Sequence, residues 1–241
     1  MFPDSDIGII GLGAFGRLMA QHLGPHFSLC AYDPVPGAGD VTRVGLAAAA
    51  SCPIVILAMP VGAIEETVRA IGPHLRPGAL VLDVGSVKVV PAEAMRRGLP
   101  DHADIVATHP LFGPQSARDG IRGLKIAVCP IRGRRGPVVA AFLRKVLGLD
   151  VILTTPEAHD REAAVVQGLT HLIAKVLVQM EPLPTRMTTR SFELIRQAVD
   201  MVRDDAPEVF QAIERSNLHA PEVRRRFFDL ASALDAQLAG G

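Results

Sequence analysis

Short apolar runs alternate with helical patterns through residues 1–155. The runs are "DIGII" (6–10), "FSLCAYD" (27–33), "PIVILAMP" (53–60), "ALVLDVGS" (79–86), "DIVATHP" (104–110), "LKIAVCP" (124–130) and "VILTTP" (151–156). Several lack polar alternation, as expected of parallel strands covered by helices on both faces. Strand–helix repetition of this kind predicts a doubly wound α/β sheet.

The pattern changes after Pro156. "EAHDREAAVVQGLTHLIAKVLVQM" (157–180) is rich in helix-forming residues and has no internal proline. Its Ala163, Ala164, Val165, Val166, Leu169, Leu172, Ile173, Val176 and Leu177 cover nearly the whole circumference. A helix apolar all round is expected to be buried, often between subunits. "EPLPTRMTT" (181–189) reads as a proline-broken linker, with further helices expected at about 190–203, 206–217 and 220–238. In "DDAPE" (204–208) an aspartate is placed to cap a helix whose first turn holds proline and glutamate. Residues 156–241 thus read as an all-helical domain, small for its apolar content, and a homodimer through it is expected.

Composition narrows the classes. The 241 residues are 49% hydrophobic, which marks a globular chain with a sizeable core. Lys+Arg and Asp+Glu both number 25, so no overall field recruits nucleic acid or an anionic membrane. Cys30, Cys52 and Cys129 lie in apolar runs without CxxC spacing and read as core thiols. No secretory leader precedes the first apolar run, which is too short to span a bilayer, so a cytoplasmic location is expected.

The chemistry begins at "GLGAFG". Gly11, Gly13 and Gly16 follow a predicted strand and open a predicted helix, and Asp33 ends the next strand 22 residues after Gly11. Gly11 allows the tight turn, Gly13 lets the backbone approach a pyrophosphate, and Gly16 lets helix and strand pack closely. The helix start offers N–H groups and a positive dipole end to the phosphates. Together these predict a Rossmann-type nucleotide site, with Ala14 and Phe15 in the same turn. Asp33 suits the ribose hydroxyls and repels a 2′-phosphate, which favours NAD and leaves NADP possible. Met59, Pro60 and Val61 either wall the nucleotide or simply stop a strand.

Ser86 in "DVGSVK" and His109 in "THPLFGPQS" both stand at carboxyl ends of predicted strands, where open α/β sheets collect ligands. No GxSxG elbow or third triad member accompanies them. A neutral imidazole beside a nicotinamide suits proton removal from an alcohol as hydride leaves, although Ser86 also reads as a turn or cap residue. Pro110 and Pro114 brace the histidine's loop, and Phe112 packs beside it. His171, with Gln167 and Lys175 on the same helix face, either lines a pocket or bonds within the helical core. His102, His159 and His219 read as surface or cap residues. No grouping has metal-ligand spacing, so no metal is expected.

The succession "GLGAFG", "DVGSVK", "HPLFGPQS" and "EAHDREAAVVQGLTHLIAKVL", continued by "SFELIRQAVDMVRDDAPEVFQAIERSN", resembles the prephenate/arogenate dehydrogenases of tyrosine biosynthesis. The details look closest to the compact plant-type arogenate enzymes. That likeness implies a nucleotide domain (1–155), a helical dimerisation domain (156–241) and an active site in the cleft between them. The implied substrate, prephenate or arogenate, is a cyclohexadienyl ring with a C4 hydroxyl and a C1 carboxylate. Hydride passes from C4 to NAD, carbon dioxide leaves C1, and the ring becomes aromatic. His109 is then the histidine that meets the hydroxyl, with Ser86 polarising or orienting, and Pro114, Gln167 and His171 near the substrate.

The ring carboxylate calls for a cation, best a bidentate arginine. Many bacterial members carry one in the helix after the linker, where this chain has Gln197. Arg190 and Arg196 are the nearest replacements and Arg203 a weaker one. Asp33 is a second departure, because plant-type enzymes usually end that strand in a basic or hydroxylated residue and use NADP. Two alternatives stay open. One is another two-domain reductase, of 3-hydroxyacid or pyrroline-carboxylate type, with Lys175 in the catalytic part. The other is a nucleotide-binding regulatory protein without catalysis.

Overall fold

The sheet forms where the apolar runs predict it, and each helix returns the chain to lay down the next strand. The structure is a computed structural model that describes residues 6–35, 37 and 41–240. Its strands are β1 (Ile7–Ile10), β2 (Leu29–Tyr32), β3 (Thr42–Arg43), β4 (Ile54–Leu57), β5 (Leu80–Asp83), β6 (Asp104–Pro110), β7 (Lys125–Arg132) and β8 (Asp150–Leu153). Helices α1 (Ala14–Leu23), α2 (Leu46–Ala50), α3 (Ile64–Ile71), α4 (Val89–Gly98) and α5 (Gly136–Lys145) run between them. The helical remainder comprises α6 (Pro156–Gln179), α7 (Arg190–Val202), α8 (Pro207–Gln211) and α9 (Ala220–Ala239).

The sheet order is β3-β2-β1-β4-β5-β6-β7-β8. Strand order therefore reverses beside β1, the switch point at which doubly wound sheets open a crevice. Both faces are covered. Ile7, Ile9, Ile54, Ile56, Leu80 and Leu82 pack on one side, and Ile10, Val55, Leu57, Val81, Ile105 and Ala107 on the other. This two-sided burial is why the strands read as continuous apolar runs.

The last two strands depart from the parallel expectation. β7 pairs antiparallel with β6, and β8 then runs parallel to β7. Residues 111–124 between β6 and β7 contain no helix, so the chain returns directly instead of crossing over.

The chain divides into two compact units, Met1–His159 and Asp160–Gly241. In the second, Ala163, Ala164, Leu172 and Ala174 of α6 are buried with Val199 of α7 and Ile213. Asn217 donates from Nδ2 to the Asp160 carbonyl at 2.7 Å, tying the start of α9 to α6. The expectation of a fully buried α6 does not hold in the single chain. Val165, Val166, Ile173 and Val176 are exposed, because the remaining helices cover only part of its circumference. The predicted aspartate cap is also corrected: Ala206 occupies the N-cap of α8, and Asp205 instead bonds His171. After α8 the chain widens into a π-helical turn, Ala212–Ser216, before α9. Among the described residues no helix is long and apolar enough to cross a membrane.

Candidate active site

Strand register fixes where the chemistry-bearing residues emerge. Ile10, Leu57, Asp83 and Ala107 stand side by side across β1, β4, β5 and β6. Beyond that row lie Gly11, Ala58, Val84 and Thr108, and the glycine turn, the Met59–Val61 segment, Ser86 and His109 all follow directly. One edge of the sheet therefore gathers residues separated by up to about a hundred positions, as strand-end sites require.

The glycines answer to three different constraints. Gly11 has φ +102°, and a Cβ there would meet the Ala58 carbonyl oxygen at 2.3 Å. At Gly16 a Cβ would lie 2.1 Å from the Gly11 carbonyl oxygen, so α1 packs against the turn only without one. Around Gly13, the N-cap of α1, no protein atom lies within 4 Å of an added Cβ. Close contact shapes the first two, while open space in front of a helix start marks the third. That is room for a phosphate group.

Asp33 follows β2 and braces this turn. Its Oδ2 accepts the Leu12 N–H at 2.6 Å and its Oδ1 accepts the Val35 N–H at 2.8 Å. A carboxylate accepts about four hydrogen bonds, so capacity for ribose hydroxyls remains. Arg43 donates to the Asp33 and Val35 carbonyls at 3.0 and 2.6 Å, and Arg17 to the Leu12 carbonyl at 2.6 Å. Ala14 and Pro60 are exposed, Phe15 and Met59 half-buried, and Val61 buried.

At the end of β5, Asp83 and Lys88 form an ion pair with both side chains fully buried. Lys88 Nζ also donates to the Thr108 carbonyl at 2.6 Å, and Thr108 Oγ1 donates to the Asp83 carbonyl at 2.6 Å. The Gly85 N–H reaches Asp83 Oδ2 at 3.0 Å. Burial pushes the Asp83 carboxyl up from its usual range against the pull of Lys88. Ser86, half-buried, sits in the turn these bonds enclose.

His109 lies near the end of β6 and is 3% exposed. Its Nδ1 is 2.8 Å from Nε2 of His159, itself buried in the first turns of α6, with the rings edge to face at 5.0 Å. The expectation that His159 is a surface or cap residue is thereby corrected: α6 carries it inward to the imidazole at the end of β6. Burial, then the neighbouring His159, then the Lys88 charge hold His109 well below the usual histidine value of 6.5. One of the two facing ring nitrogens donates the proton of this bond and the other accepts it. When His109 Nδ1 donates it, proton uptake falls to its Nε2.

The segment after His109 is held locally. Phe112 packs 6.2 Å, centroid to centroid, from Phe15 of the glycine turn. Gly113 N–H donates to Ser116 Oγ at 3.0 Å, and Pro110 and Pro114 are buried and half-buried. Gln115 Oε1 is a buried acceptor without a hydrogen-bond partner among the described residues.

The remaining predicted residues belong to the second unit. His171 is buried, with Nδ1 3.0 Å from the Gln167 carbonyl and Nε2 3.2 Å from Asp205 Oδ2. Both nitrogens face acceptors, the arrangement of a core histidine. Gln167 is half-buried one turn earlier. Arg190 is exposed at the start of α7, Arg196 pairs with Glu193 at 2.8 Å, and Arg203 grips Glu181 through both terminal nitrogens. Gln197 is exposed. Lys175 stands 5.7 Å over the Phe210 ring.

Residues 36–130 match the nucleotide-binding domain of prephenate dehydrogenase. A probable arogenate/prephenate dehydrogenase of Methanocaldococcus jannaschii is 26% identical over 79% of this chain and 44% of its own length. The likeness to prephenate and arogenate dehydrogenases thus extends over most of the chain. The chloroplastic arogenate dehydrogenase 1 of Arabidopsis thaliana is 24% identical over 97% of the chain and 39% of its own length. The chain thus spans less than half the length of these two relatives. The solved structure of prephenate dehydrogenase from A. aeolicus in complex with hydroxyphenyl propionate and NAD+ superposes with a TM-score of 0.76 at 21% identity. It covers 98% of this chain and 91% of that one. The shared fold is a Rossmann-type sheet followed by helices.

Proposed function

We propose that this chain is an NAD-dependent prephenate or arogenate dehydrogenase, oxidising the C4 hydroxyl of a cyclohexadienyl substrate while carbon dioxide leaves C1. The observation that carries this reading is the buried, neutral His109 at the strand-end edge, its Nδ1 engaged by a second imidazole. A hydroxyl that loses hydride sheds its proton, and a positioned neutral base lowers that barrier. His109 is the base, His159 its orienting partner, and Ser86 the hydroxyl that polarises from the neighbouring turn.

The residues present fit a dinucleotide. The open space at Gly13, the N–H groups opening α1 and the remaining acceptor capacity of Asp33 would hold its pyrophosphate and ribose. The nicotinamide supplies the hydride acceptor. NAD is favoured by the Asp33 carboxylate, and NADP stays the alternative because the Arg43 guanidinium of β3 bonds the Asp33 carbonyl and stands near the same turn. For the ring carboxylate Arg190 is the first choice, since Arg196 and Arg203 already meet carboxylates. Lys175 stacked on Phe210 gives no support to the hydroxyacid-type alternative.

A homodimer through the helices is part of the same proposal, and exposed apolar side chains support it. Leu230, Leu234 and Leu238 form a stripe along α9 at 62%, 57% and 76% exposure, and Val165, Val166 and Val176 of α6 are exposed as well. Stripes of this kind call for a cover. Leu234→Lys is expected to shift a dimer toward monomer in analytical ultracentrifugation, and a wild-type monomer at micromolar concentration contradicts the dimer.

The test of the activity is a matrix of NAD or NADP against prephenate or arogenate at pH 7–9, following reduced nicotinamide. Turnover is expected with at least one pair. Demonstrated dinucleotide binding without any turnover sinks the reading and leaves the regulatory alternative.

A further inference from the structure

The Lys88–Asp83 pair takes no part in the proton transfer above, yet it sits at the heart of the site. Both side chains are fully buried. Burying two charges costs several kcal/mol per ion, and an apolar pair of similar volume often serves stability as well or better. Stability alone is therefore a weak account of the pair.

Its connections suggest a different one. Lys88 stands two residues after Ser86 and bonds the carbonyl of Thr108, the residue before His109. Thr108 Oγ1 returns a bond to the Asp83 carbonyl, and Gly85 N–H closes the turn on Asp83 Oδ2. Side chains thus tie the end of β5 to the end of β6 at the residues flanking the proposed base and its serine. Asp83 Oδ1 is a buried acceptor without a hydrogen-bond partner among the described residues, so the carboxylate is held through Oδ2 on the lysine side of the cluster. Among the described residues, the groups whose charge acts on His109 are His159 of α6 and Lys88 at the N-cap of α4. The register partner of His109 on β7 is Ala127, which carries no charge.

We propose that Lys88 is a positioning residue of this site: it locks the Ser86 turn to the His109 strand and sets a positive charge beside the imidazole, so that the base is placed and uncharged before substrate arrives. The assignment rests on the dehydrogenase reading above. Lys88 acts through His109, and its charge is among the causes that hold that imidazole's pKa down.

The double variant Lys88→Met/Asp83→Asn removes both charges at similar volume and strands no buried carboxylate. In substrate-free protein, histidine-selective NMR, with the His109 signal assigned from His109→Asn, is expected to show its titration moving up by about one unit. kcat is expected to fall on the order of tenfold, with dinucleotide affinity unchanged. An unmoved His109 titration, or an unchanged kcat, overturns the proposal. If the double variant does not fold, Thr108→Val removes one tie and no charge. A several-fold lower kcat at unchanged dinucleotide affinity then supports the lock, and an unchanged kcat overturns it. The NMR titration and dinucleotide binding need no turnover. A wild-type protein that binds the dinucleotide but converts neither substrate therefore points to failure of the dehydrogenase reading instead.

Discussion

His109 in the first unit and His171 in the second are equally shut away from water, at 3% and 4% exposure, yet their partners make them different groups. His171 turns one nitrogen to a backbone carbonyl and the other to a carboxylate. Both contacts are to acceptors, and they tie α6 to the segment preceding α8. His109 faces another imidazole, with a lysine charge nearby and no carboxylate contact through its Nδ1. Burial alone does not separate a structural histidine from a reactive one. The acceptor or donor character of what surrounds it does.

The comparison breaks most easily at His109 itself. His109→Asn keeps a polar group of similar reach but no base. Turnover is expected to fall on the order of 100-fold or more, with dinucleotide binding by fluorescence titration retained. An unchanged rate would move His109 into the same class as His171. His159→Phe should come next, lowering kcat on the order of tenfold, because the imidazole loses the group that sets its tautomer. Rescue of part of that rate by His159→Gln would mark a hydrogen-bonding role.

On the other side of the comparison, His171→Leu should show itself in stability. Loss of the Asp205 and Gln167 contacts is expected to cost about 1–3 kcal/mol in urea unfolding. The pH position of the activity profile should stay in place, and a displaced profile would assign His171 to the reaction. Asp33→Ser is the smallest expected effect. It removes ribose acceptors and the Leu12 brace, and should weaken NAD by roughly tenfold while narrowing the gap to NADP.

Stability itself should report on His109. Its folded value lies well below 6.5, so in that window the unfolded chain binds the proton and the folded one does not. Stability then rises with pH across the window, is fully present above about 6.5 and is lost as pH falls toward the lowered value. Replacement by asparagine should flatten that part of a melting-temperature profile, and an unaltered slope would place the titration elsewhere.

The nucleotide turn was legible because its requirements are local. Three glycines, a strand before, a helix after and Asp33 at the next strand end all lie within a short stretch. The strand-end position of His109 was legible for the same reason. His159 was not, since its partner is 50 residues away and only the course of α6 brings them together. A clue existed in its place soon after the last strand, but the same spacing fits a surface residue. The burial of Lys88 was not legible either, because lysines are almost never fully buried and composition gives no reason to expect one here. The direction of β7 was hidden as well: an apolar run reads alike both ways, and only the helix-free connection before it distinguishes them. For the second unit the elements were legible but their cover was not. The pattern of α6 shows that it needs burial and says nothing of what supplies it.

The most direct test is the pH dependence of kcat/KM for the wild-type protein with its preferred substrate and dinucleotide. A neutral, buried His109 predicts a rate that holds from pH 8 down through 6.5 and falls only below it. A fall already centred at or above 6.5 would contradict the account, because the base would then titrate like an ordinary exposed histidine.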